Sequence, residues 1–154
     1  MRKEKLNYYE IDQNAVKGMQ ELERYVRDSE IESSLIELVK IRASQINQCA
    51  YCIDMHTKDA REAGETEQRI YGLSAWSETP FYSKREQAAL AWAEALTRIS
   101  ENDITDDFFK EIREHFSEQE MVVLTTAIVA INGWNRLAIG FGNEVGTYKP
   151  EAAK

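Results

Sequence analysis

Glu37-Leu38-Val39-Lys40-Ile41-Arg42-Ala43-Ser44-Gln45-Ile46-Asn47-Gln48-Cys49-Ala50-Tyr51-Cys52-Ile53-Asp54-Met55-His56 is the stretch on which the reading of this sequence turns. It holds both cysteines of the chain and one of its two histidines. Leu35, Leu38, Val39, Ala43 and Ile46 recur at helical spacing, so a helix is expected to begin after Ser33 or Ser34 and to run toward Asn47. A second helix should start near Cys49–Cys52 and stop at Gly64, a natural C-terminal signal. A Cys-x-x-Cys pair near a helix N-terminus has a chemical logic. Free backbone N–H groups and the helix dipole stabilise a thiolate there. The spacing keeps the second sulfur within range to close a disulfide on an oxidised first. His56 follows Cys52 by one helical turn and so shares its face. An imidazole there can take or return the thiol proton, directly or through a water.

Glu37 would lie about 18 Å from Cys49 on one straight helix. A chain reversal at Ile46-Asn47-Gln48 removes that distance. In an antiparallel hairpin, Glu37 and His56 are equidistant from the turn and face each other, so the carboxylate can orient the imidazole. Asn47 suits the turn because it tolerates left-handed backbone angles. The hairpin therefore predicts a Glu37–His56–Cys52–Cys49 relay built from two adjacent helices. Ser44 and Gln48 share a helical face with Glu37 and, with Tyr51, are candidates to line the pocket.

Helix signals continue on both sides. Val16, Met19, Leu22 and Val26 mark a helix before the hairpin, and a short one is expected from Thr66 through Ile70 and Leu73 to Trp76. Thr79-Pro80-Phe81-Tyr82 reads as a break. Ser83 with Glu86 and Ser117 with Glu120 each form a capping box. The first opens a helix through Ala88 to Ile99, and the second opens a long apolar one from Met121 to about Ile139, ended by Gly140 or Gly142. Thr105 should cap a shorter helix reaching His115. With no convincing strand alternation, the expected fold class is all-α. It is a single-domain helical bundle over residues 1–154, with its core at about 31–138 and a frayed tail at 149–154.

The 154 residues carry a net charge of −8, which argues against a nucleic-acid binder and against docking on an anionic membrane. Met1 to Asp12 has no apolar core of a secretory signal, and the run Met121 to Ile131 is too short to span a bilayer. Both point to the cytoplasm, where a close cysteine pair reads as catalytic or metal-binding rather than as a structural staple. The long helix is apolar on most faces, so a second subunit is expected to cover part of it, giving a homo-oligomer. Trp76, Trp92 and Trp134 read as core or interface aromatics. Asn135 and Arg136, polar within an apolar helix, need partners, expected from an acidic residue or a neighbouring subunit. His115 reads as a helix-end residue.

Two rival readings stand beside the relay. The pair could be inert core thiols, or Cys49, Cys52 and His56 could be zinc ligands, with Glu37 or His115 as the fourth. Structural zinc usually draws on a second close ligand pair, which this chain lacks. Covalent haem is excluded in its usual form because Ile53, not His, follows Cys52.

Glu37-x11-Cys49-x2-Cys52-x3-His56 resembles the signature of the AhpD-like alkyl hydroperoxidases of the carboxymuconolactone decarboxylase superfamily. The likeness extends to Met55-His56-x3-Ala60-Arg61-x2-Gly64-Glu65, to Glu86-x-Ala88-Ala89-Leu90 and to Ala130-Ile131-Asn132-x-Trp134-Asn135-Arg136, covering roughly Ile31 to Ala138. The resemblance implies an AhpD-like helical bundle with the Cys-x-x-Cys at the N-terminus of a central helix, assembled as a dimer-based, trimeric or hexameric homo-oligomer. It also implies thiol-dependent peroxide reduction of the peroxiredoxin type, with an antioxidant role and no bound cofactor. Cys52 would attack the peroxide, Cys49 would resolve it, and His56 with Glu37 would relay protons. An external dithiol or disulfide protein would restore the thiols. Members often carry a second His between the cysteines. Here Tyr51 stands there, a weaker proton carrier near neutral pH that could hydrogen-bond a peroxide oxygen or simply pack. The resemblance also leaves a redox adaptor serving another peroxidase, and a lactone decarboxylase, as alternative activities. The latter branch generally lacks the Cys-x-x-Cys pair.

Overall fold

Capping chemistry sets most helix limits in the computed structural model, which describes residues 4–150. Asp12 accepts from Asn14 and Ala15 N–H at the start of α2 (Gln13–Arg27). Both capping boxes form. Ser83 opens α6 (Lys84–Thr97) and Ser117 opens α8 (Glu118–Phe141), each with reciprocal bonds to the Glu three residues on. Thr66 caps α5 (Glu67–Gly72), which tightens into a 3-10 segment Leu73–Glu78, and Thr105 caps α7 (Asp106–Arg113). Between them lie α3 (Ser33–Ile46) and α4 (Ala50–Glu62). A short α1 (Tyr8–Ile11), not legible in the sequence, precedes α2. The helices toward Ile99 and His115 stop two residues early, at Thr97 and Arg113. Gly142 rather than Gly140 ends α8, at φ +81°. The described residues contain no strand, so the fold is all-α.

α3 is buried on nearly every face because α4, α6 and α8 surround it. Its Leu35 and Val39 join Ala89 and Trp92 of α6 and Leu124 and Ile128 of α8 in one apolar cluster. Leu38 and Ile41 join Ala60, Ile70, Leu73 and Leu90 in a second. A third gathers Ala43, Ile131 and Ala138 around the two cysteines. α8 has 24 residues, the long helix expected from Met121 to about Ile139 extended by a few residues at each end. By length and composition it could cross a membrane, and half of its apolar window is buried against the other helices.

The reversal between α3 and α4 differs from expectation in one residue. Asn47 keeps right-handed angles, and Gln48 takes the left-handed position at φ 56°. The Cys49 N–H then donates back to Ser44 O at 2.9 Å and Gln48 N–H to Gln45 O at 3.2 Å, a Schellman closure. Asn47 is used otherwise: its side-chain amide donates to Asn132 Oδ1 (2.9 Å) and Asn135 Oδ1 (2.8 Å). Asn135 donates to Ser44 Oγ at 3.0 Å. Its partners are therefore α3 residues, not an acidic residue or another subunit, and Arg136 is exposed, bonded to the Asn132 carbonyl. Of the expected tail, Lys149 and Pro150 follow an anchored Tyr148, and 151–154 lie outside the described residues.

A left-handed backbone costs an ordinary residue about 1–2 kcal/mol, partly relieved by Gly and worsened by a branched side chain. Urea denaturation should rank Gln48→Gly at or above wild type and place Gln48→Val below it by about 1–2 kcal/mol.

Candidate functional site

Cys49 is the N-cap of α4, and its Sγ accepts from the Cys52 N–H at 3.4 Å. The two sulfurs are joined as a disulfide, with Cα atoms 5.3 Å apart. Both residues are almost fully buried in the third apolar cluster. Their position at the first turn of α4 puts the sulfurs where unpaired backbone N–H groups favour negative charge.

One turn along α4, His56 is buried, and its Nδ1 lies 2.9 Å from Glu37 Oε2 on α3. The hairpin thus opposes the two residues as their distances from the turn require. Burial pushes Glu37 up. The hydrogen bond from His56, with the charges of His56 and Lys40, outweighs it and holds the carboxyl below its ordinary range. A carboxylate can only accept, so Nδ1 carries the hydrogen and Nε2 is left as the basic nitrogen. Lys40 is itself paired with Glu23 of α2 at 2.5 Å.

Two cavities flank the disulfide, and Tyr51 and Ala138 line both. One, about 320 Å³, has Cys52, His56, Glu37 and Asp59 together on its wall. The other, about 530 Å³, is lined by Cys49 and Gln48, with Ile139 and Val145. Cys52 therefore shares a cavity with the His–Glu pair, and Cys49 opens to the neighbouring one. Gln48 lies on the Cys49 side, not beside Glu37. Ser44 lines neither cavity. It is wholly buried between α3 and α8, because a residue two turns along α3 meets α8 there. Burial raises the Tyr51 phenol above its ordinary value.

Several residues of the Cys52 cavity escaped the sequence reading. Asp59 lies one turn beyond His56, a spacing that could have flagged it. Ligating atoms of Glu37, His56 and Asp59 lie within 4.8 Å of one another. That set excludes both cysteines, whose sulfurs are paired with each other. Burial, joined by the charge of Glu37, holds Asp59 above its ordinary value despite a hydrogen bond from Tyr148. Tyr148 reaches the cavity from a segment with no helical signal. Its hydroxyl donates to Asp59 Oδ1 (2.7 Å) and its carbonyl accepts from Lys58 Nζ (3.0 Å). Tyr8, Tyr9 and Trp134 also face this cavity, so Trp134 is a cavity wall. Trp92 lies in the core, and Trp76 packs on the second cluster and donates to Glu94.

The fold and site define an all-helical protein with a Cys-x-x-Cys disulfide at a helix N-terminus beside a buried His–Glu pair. The chain belongs to the carboxymuconolactone decarboxylase family, whose model matches residues 13–95. It is 48% identical over 140 residues to the uncharacterized protein YdfG of Bacillus subtilis, covering 91% of this chain and 95% of that one. A crystal structure of a protein of unknown function from Agrobacterium tumefaciens, with the antioxidant defence protein AhpD as its suggested assignment, superposes with a TM-score of 0.90. The two are 44% identical, over 95% of this chain and 100% of that one. The debrominase Bmp8 shares the fold at a TM-score of 0.77 and 18% identity, over 88% of this chain and 73% of its own. The fold is AhpD-like.

Because its folded-state pKa is raised, ionised Asp59 lowers stability at neutral pH, and that loss disappears once pH falls below the ordinary carboxyl value. Asn retains an oxygen for Tyr148. Asp59→Asn should therefore raise Tm at pH 7, with the gain shrinking toward pH 3 in a pH series of thermal melts.

Proposed function

We propose that this protein is a thiol-dependent peroxidase with an antioxidant role, reducing hydroperoxides at Cys52 and cycling through the Cys49–Cys52 disulfide. The observation that carries the reading is that Cys52, and not Cys49, shares its cavity with the His56–Glu37 pair. In the reduced protein, His56 Nε2 takes the Cys52 proton while Glu37 holds Nδ1–H and stabilises the imidazolium. The thiolate attacks one peroxide oxygen. The O–O bond breaks, the leaving alkoxide takes the proton back from His56, and Cys52 becomes a sulfenic acid. The Cys49 thiol attacks that sulfur and releases water, which leaves the disulfide. An external dithiol, small or carried by a protein, reduces it by exchange. The Cys52 N–H directed at Cys49 Sγ favours Cys49 as a thiolate in the resolving step. Neither bound metal nor cofactor takes part in this cycle.

Val122 and Val129 lie two turns apart on one face of α8 and are 56% and 54% exposed. Phe109 is exposed beside Val122. This apolar face supports assembly as a homo-oligomer through α8. The acidic chain and the reducing chemistry fit a cytoplasmic protein that acts without nucleic acid or membrane.

Thiol titration before and after one equivalent of peroxide should show both thiols lost and both restored by a dithiol. Cys52→Ser should bring peroxide-dependent dithiol oxidation to the uncatalysed level. Cys49→Ser should still form a trappable sulfenic acid at Cys52. His56→Gln should cost roughly 10²-fold or more in kcat/KM, the range of general acid–base catalysis. Equal rates for wild type and Cys52→Ser would sink the assignment. Activity that appears only on adding a partner peroxidase would make the protein a redox adaptor.

A further inference from the structure

The Cys52 cavity is built in two parts of different origin. Its reacting groups all come from the α3–α4 hairpin, and much of the rest of its wall is aromatic. Tyr8 and Tyr9 come from α1, Trp134 from α8, Tyr51 from the first turn of α4, and Tyr148 from the segment after α8. Tyr8 and Tyr9 stack with ring centroids 4.7 Å apart. Tyr9 and Trp134 lie nearly parallel, 11° apart with centroids at 6.2 Å, so Tyr8, Tyr9 and Trp134 form one run of aromatic rings. The described segments before α2 and after α8 are both tied down there. The Lys5 N–H donates to Phe141 O at 2.8 Å, Asn143 donates to the Tyr8 hydroxyl at 3.2 Å, and Tyr148 is held by Asp59 and Lys58.

Neither proton transfer nor disulfide closure needs Tyr8, Tyr9 or Trp134. Nor does core packing account for them, since Tyr9 is 43% exposed and none of the three belongs to a buried cluster. Acidic groups outnumber basic ones on the wall. Glu23, Glu37 and Asp59 face a single lysine, Lys40, already bonded to Glu23. Aromatic ring faces add the negative side of their quadrupoles. Both features disfavour an anion and accept a neutral ring. A cavity of about 320 Å³ is at the small end of ligand sites, with room for a single ring and its short substituents rather than a long chain.

We infer that these aromatic side chains select the substrate, and that the cavity takes hydroperoxides that bear an aromatic ring and no negative charge. The ring packs against the Tyr8, Tyr9 and Trp134 side chains while the peroxide group reaches Cys52. The inference rests on the peroxidase reading of the same site. The cycle is unchanged: the aryl-substituted alcohol leaves with the proton from His56, and the external dithiol supplies the two electrons.

Two measurements test it. The first compares kcat/KM for cumene hydroperoxide and tert-butyl hydroperoxide, both neutral and tertiary, which differ by the ring. Wild type should favour the aryl peroxide roughly tenfold. Tyr9→Leu and Trp134→Leu should each bring the ratio toward one, while Tyr71→Leu, on the exposed surface of α5, leaves it unchanged. The ratio is internal to each variant, so partial loss of folding does not imitate the effect. Equal rates in wild type, or an unchanged ratio in both wall variants, overturn the inference. The second measurement needs no peroxide chemistry. Cys52→Ser protein is titrated with 2-phenyl-2-propanol, its 4-carboxylate and tert-butanol by ligand-observed NMR. Saturable binding of the first alone, lost with Tyr9→Leu added, supports the aromatic site even if no peroxide is turned over, an outcome that defeats only the peroxidase reading. Absence of that binding, or equal binding of the carboxylate, overturns the aromatic site.

Discussion

The Schellman closure at Asn47-Gln48-Cys49 constrains everything around it. Gln48 takes left-handed angles so that Cys49 N–H can return to the Ser44 carbonyl, and that same step makes Cys49 the N-cap of α4. One turn thus ends one helix, starts the next and places a sulfur at its N-terminus. Asn47, Ser44, Asn132 and Asn135 then bond the turn to α8, with Ser44 and Asn135 fully buried. Buried polar groups tolerate few alternative arrangements, because any member left unpaired costs about 1–3 kcal/mol. The register of α3 against α4, and with it the Glu37–His56 contact, follows from that lock.

The site divides into a reacting part with little freedom and a wall with more. Glu37, His56 and the cysteines lie on two helices fixed against the core, the arrangement that holds catalytic geometry most tightly. The aromatic wall takes Tyr8 and Tyr9 from a four-residue helix and Tyr148 from the segment beyond Gly142, each held by a few hydrogen bonds, beside Trp134 of α8 and Tyr51 of α4. Chemistry and selectivity can therefore vary separately. The debrominase at 18% identity shares the fold, and a fold by itself does not dictate a reaction.

Charge within the cavity is finely placed. Glu37 is held ionised by His56 and Lys40 although buried, whereas neighbouring Asp59 is pushed the other way by burial and by Glu37 itself. Two carboxyl groups so close are driven apart in acidity, and the one bonded to the imidazole is the one kept as an anion. Tyr148 completes the arrangement by donating to the carboxyl that His56 does not occupy.

Much of this was legible in the linear chain. Apolar spacing and capping residues marked most of the helices, because a cap is a contact between residues three apart and needs no tertiary information. The opposition of Glu37 and His56 was also readable, since a tight hairpin turns equal sequence distance into spatial contact. Ser44 was misplaced, and the cavities that Gln48 and Trp134 line were not readable. Their surroundings depend on which helix packs against each face of α3, on which side of Tyr51 each cavity opens, and on where α1 lies. The Asn47–Asn135 lock, the Tyr148–Asp59 bond and the Tyr9–Trp134 surface join residues roughly 90 to 125 positions apart. No local pattern records such pairs. They exist only once α8 and the segments around Tyr8 and Tyr148 have packed onto the hairpin, so the sequence by itself determined which cysteine, His and Glu side chains meet, and the tertiary structure alone decided what surrounds them.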